Sequence, residues 1–115
     1  MAGKTRFEKA VYADISFDYL ARNDIDNIEF VLETKGIFPF FIAKAFDASY
    51  PTYFFYVRSS GSFREDALEI ISDLSQAGAS KQMQELFVEL RRQKIYYVRF
   101  DADGGEIEGN QFKKQ

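Results

Sequence analysis

The chain contains no cysteine and no histidine. The first absence excludes a disulfide framework and thiolate metal sites, and it fits a reducing, cytoplasmic setting. The second removes the commonest general base and the commonest metal ligand, and with cysteine gone the best nucleophile is missing too. No serine sits in a Gly-x-Ser-x-Gly elbow and no Gly-x-x-x-x-Gly-Lys phosphate loop occurs. The chain therefore reads as a non-enzyme with no cofactor and no metal. No window approaches the roughly 18 consecutive apolar residues of a membrane span, so no membrane association is expected. Glycine and proline number only 7 and 2, and neither forms a linker-like tract. The 115 residues suit one domain, which can hold a core without staples.

What is abundant is aromatic surface. Thirteen Phe and seven Tyr bunch into Phe38-Pro39-Phe40-Phe41, Tyr53-Phe54-Phe55-Tyr56 and Tyr96-Tyr97. Consecutive residues on a strand point to opposite faces, so these clusters place aromatics on both sides of a sheet. Each such ring removes about 150–250 Å² from water when buried. Something must cover each face, and what covers the second one is the functional question.

Net charge is −3, unevenly distributed. Asp14, Asp18, Asp24, Asp26, Glu29 and Glu33 face Arg22 alone, whereas Lys81, Arg91, Arg92, Lys94 and Arg99 outweigh Glu85 and Glu89. Residues 1–10 read as an N-terminal arm, 11–108 as a single α+β domain, and 109–115 as a frayed tail.

Within the domain, Val11 to Ile15 reads as a strand. Asn23 or Asp24 is the expected cap of a first helix that closes at Lys35-Gly36. Ile37 to Phe46 and Thr52 to Arg58 read as a hairpin with a loop of about five residues. Ser62-Phe63-Arg64-Glu65 has capping-box spacing for a second helix, with Ala67, Ile70, Ile71 and Leu74 as its core stripe and an end at Ala77-Gly78. Ser80 caps a third, with Met83, Leu86, Phe87 and Leu90 at i, i+3, i+4, i+7. Ile95 to Phe100 is the last long strand. Asp103-Gly104 is a turn signal, and Glu106 to Glu108 reads as a short edge folding back. The expected fold is an antiparallel sheet of about four strands in ferredoxin-like βαββαβ order, with an extra helix before the last long strand.

Two local patterns point to ligands only weakly. Asp101-Ala102-Asp103-Gly104 starts like a calcium loop, but Glu106 stands where glycine is needed and Phe112 where the bidentate Glu belongs, so a β-turn is the better reading. Ser59-Ser60-Gly61-Ser62 could present amides to a phosphate at a helix start, although Ser62 is already committed as the cap.

Residues 11–75 resemble the RNA-recognition motif. Val11-Tyr12-Ala13-Asp14-Ile15-Ser16-Phe17 is similar to its first-strand motif, with Tyr12 at the stacking position. Tyr53-Phe54-Phe55-Tyr56-Val57-Arg58 is similar to its third-strand motif, with Phe54 and Tyr56 at the exposed aromatic positions. The sequence departs from the pattern at Thr52, Tyr53, Phe55 and Ser59. The resemblance implies stacking of single-stranded RNA or DNA bases on Tyr12, Phe54 and Tyr56, with Arg58, Tyr97 and Arg99 alongside.

Against it stands the stripe of the third helix, which is expected to pack over the face carrying Tyr12, Phe54 and Tyr56 and so close it to bases. The reading that follows is a small binding module acting by protein contact, as an adaptor, regulator or inhibitor, with a nucleic-acid-handling protein among the partners that fit. Its contact residues would be the first-helix acids Asp24, Asp26, Glu29 and Glu33, steering a basic partner surface. Single-stranded nucleic acid binding is the alternative, and self-association through an uncovered apolar face is a further outcome.

Overall fold

The computed structural model describes residues 11–47, 50–57 and 62–115, without the side chains of Phe46, Asp47 and Tyr50. Strand β1 (Tyr12–Ser16) runs into a single 3-10 turn (Phe17–Tyr19), then helix α1 (Arg22–Lys35). Strands β2 (Phe41–Asp47) and β3 (Tyr50–Tyr56) precede α2 (Phe63–Gln76), α3 (Lys81–Arg92) and β4 (Tyr97–Asp101). The order along the chain is as the sequence predicts, and the class is α+β. The N-terminal arm and residues 48, 49 and 58–61 lie outside the described residues, including Arg58 and all of the candidate phosphate loop but Ser62.

The sheet itself departs from expectation. Its spatial order is β1-β4-β3-β2, with β4 antiparallel to β3 but parallel to β1. It is therefore mixed, not antiparallel, and β4 stands between β1 and β3 where the ferredoxin-like reading has no strand. The physical reason is the long way round that each connection takes. Helix α1 carries the chain from the β1 edge to the far edge, and the α2–α3 pair brings it back to fill the gap beside β1.

Local signals explain most boundaries. Ser62 Oγ accepts from the Glu65 N–H at 3.3 Å and Ser80 Oγ from the Met83 N–H at 3.2 Å, so both serines cap as their sequences predict. Gly36 ends α1 at φ 77°, the left-handed conformation that glycine adopts freely. The start of α1 is different. Its cap position is Ala21, without a side-chain bond, while Asp24 is 3% exposed and accepts from Ser80 N at 2.7 Å and Ser80 Oγ at 2.5 Å. A long-range use has taken the residue that the local pattern offered as a cap.

Strand β2 begins four residues later than the apolar run. Phe38 to Phe41 forms a turn closed by Phe41 N–H to Phe38 C=O at 3.1 Å, with Pro39 second and Phe40 third at φ 64°. That is the type II arrangement, which proline favours and which forces positive φ on the next residue. The Phe40 ring is held at 6.3 Å from that of Phe87, an anchor that offsets the strain.

All three helices cover one face. Tyr53, Phe55, Val98 and Phe100 point into it, and Ile28, Ile70, Leu74, Met83, Leu86, Phe87 and Leu90 complete the buried core. Phe87 is the centrepiece, with ring centroids 5.0 Å from Phe55 and 6.3 Å from Phe100. The stripe of α3 thus buries as expected but on the opposite side from Tyr12, Phe54 and Tyr56. In α2, Ile71 is exposed and Asp66 takes a buried place, paired with Arg91 of α3.

The C-terminal residues also differ from expectation. No returning edge forms at 106–108. Instead Gly105 bridges the free side of β1, with Ser16 N–H to Gly105 C=O and Gly105 N–H to Asp14 C=O both at 2.9 Å. Residues 109–115 form no helix or strand and pack back against the domain. Phe112 is buried in the core and the Gln115 N–H donates to the Asp18 C=O at 2.7 Å. An apolar ring next to an open strand edge gains more by covering it than by staying in water.

Gly104 makes this close approach. A β-carbon there would lie 2.2 Å from the carbonyl carbon and oxygen of Ile15. Gly104→Ala should therefore cost about 1–3 kcal/mol, the range for overpacking a tight contact. It should also speed amide hydrogen exchange at Ser16 and Gly105, as NMR would show. Unchanged exchange at both amides would contradict the bridge.

Candidate functional site

The face left uncovered by the helices carries the unexplained side chains. Alternation places Tyr12 and Asp14 of β1, Tyr97, Arg99 and Asp101 of β4, and Phe54 and Tyr56 of β3 on it, opposite Tyr53 and Phe55. Cross-strand register aligns them in rows. Tyr97 pairs with Tyr12 on one side and Tyr56 on the other, and Arg99 likewise lies between Asp14 and Phe54. The Tyr56 and Tyr97 rings stack at 4.7 Å and 20°.

The result is a three-tyrosine row across β1, β4 and β3, with exposures of 64% for Tyr12, 40% for Tyr97 and 39% for Tyr56. With these exposures, none of α1, α2 and α3 lies above the row. Ile42 joins it because the register shift between Phe41 and Ala43 turns its side chain outward. Tyr12, Ile42, Phe54, Tyr97 and Arg99 line a shallow depression of about 280 Å³.

Arg99 is not available as a cation. Its Nη2 donates to Asp14 Oδ2 at 2.5 Å, and its Nε lies 3.0 Å from Asp101 Oδ2 without hydrogen-bond alignment. The hydrogen bond from Arg99 holds the Asp14 carboxyl below the usual range. Burial, and then the neighbouring Asp14 carboxylate, push Asp101 up. Two carboxylates share one guanidinium, leaving a net negative charge.

These opposite shifts have opposite consequences for stability. Asp14 contributes stability above its unfolded pKa that is lost as pH falls through its folded value. Asp101 contributes stability below its unfolded pKa that is lost as pH rises through its folded one. Asp14→Asn should therefore destabilise by up to about 1 kcal/mol at neutral pH, the scale for partly exposed pairs. Asp101→Asn should leave stability there unchanged or slightly higher. Urea titrations of both variants check this, and a larger loss for Asp101→Asn would refute it.

The first-helix acids do not form one surface. Asp24 is buried on Ser80, and Glu29 accepts from Lys44 Nζ at 2.8 Å and Tyr53 Oη at 2.6 Å. Burial alone would raise Glu29, but those bonds more than offset it and lower it, while burial followed by Glu29 pushes the Tyr53 hydroxyl far up. Asp26 is exposed beside Arg22 at 3.3 Å, and Glu33 is exposed. Of the four, Asp26 and Glu33 face water.

Of the aromatic set, Tyr12, Phe54, Tyr56, Tyr97 and Arg99 do come together, and Arg58 lies outside the described residues. Tyr12 is not beside Phe54 and Tyr56, because β4 runs between them and brings Tyr97 and Arg99 into the row. Asp14 and Asp101 were legible by period two, each standing two residues beyond a face residue. Ile42 was not, since a register shift leaves no local mark.

Among the described residues no cluster of three or more acids is placed to hold a metal, and no helix is long and apolar enough to cross a membrane. No protein-family model matches the chain, and no characterised protein or solved structure matches it.

Proposed function

We propose that this chain is a non-catalytic protein-binding module of the cytoplasm, and that its contact surface is the open sheet face and not the acidic helix. The observation that carries this is the uncovered row Tyr12–Tyr97–Tyr56 with Phe54 and Ile42 beside it. Rigid aromatic side chains with a polar tip suit an interface that is dry at the centre and wet at the rim. An adaptor, regulator or inhibitor needs no more chemistry than this. The lack of histidine and cysteine agrees with it.

Single-stranded nucleic acid is the second reading, favoured by the same tyrosine row and by the resemblance of residues 11–75 to the RNA-recognition motif. Charge favours the protein-contact reading. Strand binding needs cations along the phosphate track, and the one cation on this face among the described residues is held by two carboxylates.

The test compares wild type with a Tyr12→Ala, Tyr97→Ala double variant of unchanged circular dichroism, in pull-downs and against a labelled single-stranded RNA pool at low salt. Protein partners should be lost with the tyrosines and persist in an Asp26→Asn, Glu33→Gln variant. RNA retained by wild type and released by the tyrosine variant would transfer the assignment to the second reading.

A further inference from the structure

The depression at Tyr12, Ile42, Phe54 and Tyr97 does not end at the strand edge. A second hollow, of about 360 Å³, with Phe40, Phe41, Ile42, Tyr56, Glu69 and Asp73 in its lining, shares Ile42 with the first. Together they form a groove running across the strands from β1 past β2 toward α2. Four strands span about 14 Å centre to centre, the length of four or five extended residues.

The groove has apolar walls and acidic ends. Arg99 lines the β1–β4 end with Asp14 and Asp101 paired behind it, and Glu69 and Asp73 line the α2 end. Four carboxylates to one guanidinium leave it negative among the described residues. Lys44, the nearest lysine in sequence, turns to the helix side and pairs with Glu29.

We propose that the occupant is an extended segment of another protein bearing two bulky apolar side chains, one for each hollow, flanked by Lys or Arg. This inference rests on the open face being a protein-contact surface, and it adds the chemistry of the partner. The apolar residues supply affinity, since bound anchors in desolvated pockets dominate interface energies. The cations supply orientation and encounter rate at the acidic ends. Acidic segments and nucleic acid strands meet repulsion at both ends.

A phage-displayed library of random peptides selected on the full chain tests this, with the recovered peptides titrated by fluorescence anisotropy. Recovered sequences should be enriched in Lys or Arg flanking Phe, Tyr, Leu or Ile. Their affinity should fall roughly two- to fivefold on Asp14→Asn and again on Asp73→Asn, and weaken with added salt. Tyr97→Ala and Ile42→Ala should weaken every binder.

Binders that need Tyr97 and Ile42 but show no preference for cations would overturn the inference and leave the open-face reading standing. Binders indifferent to both residues would overturn the two together. A library yielding no face-dependent binder overturns the inference, as does a wild-type dimer that Ile42→Ala disperses, since a second copy then holds the groove.

Discussion

Phe87→Ala should lower the unfolding free energy by about 3–5 kcal/mol, the range for truncating a fully buried aromatic. Phe87 is 0% exposed, and its ring meets Phe55 edge-on at 81°, lies parallel to Phe100 at 11°, and approaches Phe40 at 6.3 Å. No neighbour can close the cavity cheaply. Phe55 and Phe100 are fixed on hydrogen-bonded strands, and Phe40 sits in a constrained turn. A domain of this size has about 5–15 kcal/mol in all, so the variant should be close to its unfolding threshold. Urea denaturation measures it, with Leu68→Ala as the comparison. Leu68 is exposed on α2 and should cost under about 0.5 kcal/mol. A loss under about 1 kcal/mol at Phe87 would mean that α3 does not seal the helix-side core.

That prediction depends on which sheet face α3 covers, and this is where the sequence ran out. Met83, Leu86, Phe87 and Leu90 announce an amphipathic helix because their spacing is local. An apolar stripe says that one side is buried but carries no label for its target. Both sheet faces offered aromatics, and the choice was made by Phe55 and Phe100, some 32 and 13 residues distant along the chain. The order of strands is equally non-local. Nothing in Tyr97 to Asp101 tells whether it lies outside β1 or between β1 and β3.

Capping shows the same division. Ser62 and Ser80 bond to amides three residues on, so their role is written within one turn. Asp24 has equal local credentials and is spent on Ser80, 56 residues away. The open-face residues were legible as a list by period two from Tyr12, Phe54 and Tyr97. That they are open at all was decided by packing elsewhere. The same holds for Phe112, whose burial depends on β1 being an edge strand beside it.

Asp66→Leu and Arg91→Met should each cost about 3–5 kcal/mol, while the Asp66→Leu, Arg91→Met double variant should recover most of that loss. The pair joins α2 to α3 across the helix layer, with Arg91 Nη2 2.5 Å and Nε 2.6 Å from Asp66 Oδ2, and side-chain exposures of 8% and 1%. Asp66 stands in the first turn of α2 and Arg91 in the last turn of α3, each where its charge opposes the helix dipole. Arg91 also lies over the Tyr96 ring at 5.1 Å. Removing one partner deprives the other of a close ion pair at a site out of water, which is why the single losses are large. Removing both in favour of apolar side chains also removes the desolvation cost, so the sum is far from additive. Arg91→Lys should behave like a single loss, because an ammonium cannot present two N–H groups in the guanidinium plane. Urea denaturation of the four proteins closes the cycle. Single losses below about 1 kcal/mol, or a double variant no better than the singles, would show that the α2–α3 contact is held by Ile70, Leu74 and Leu90 and not by this pair.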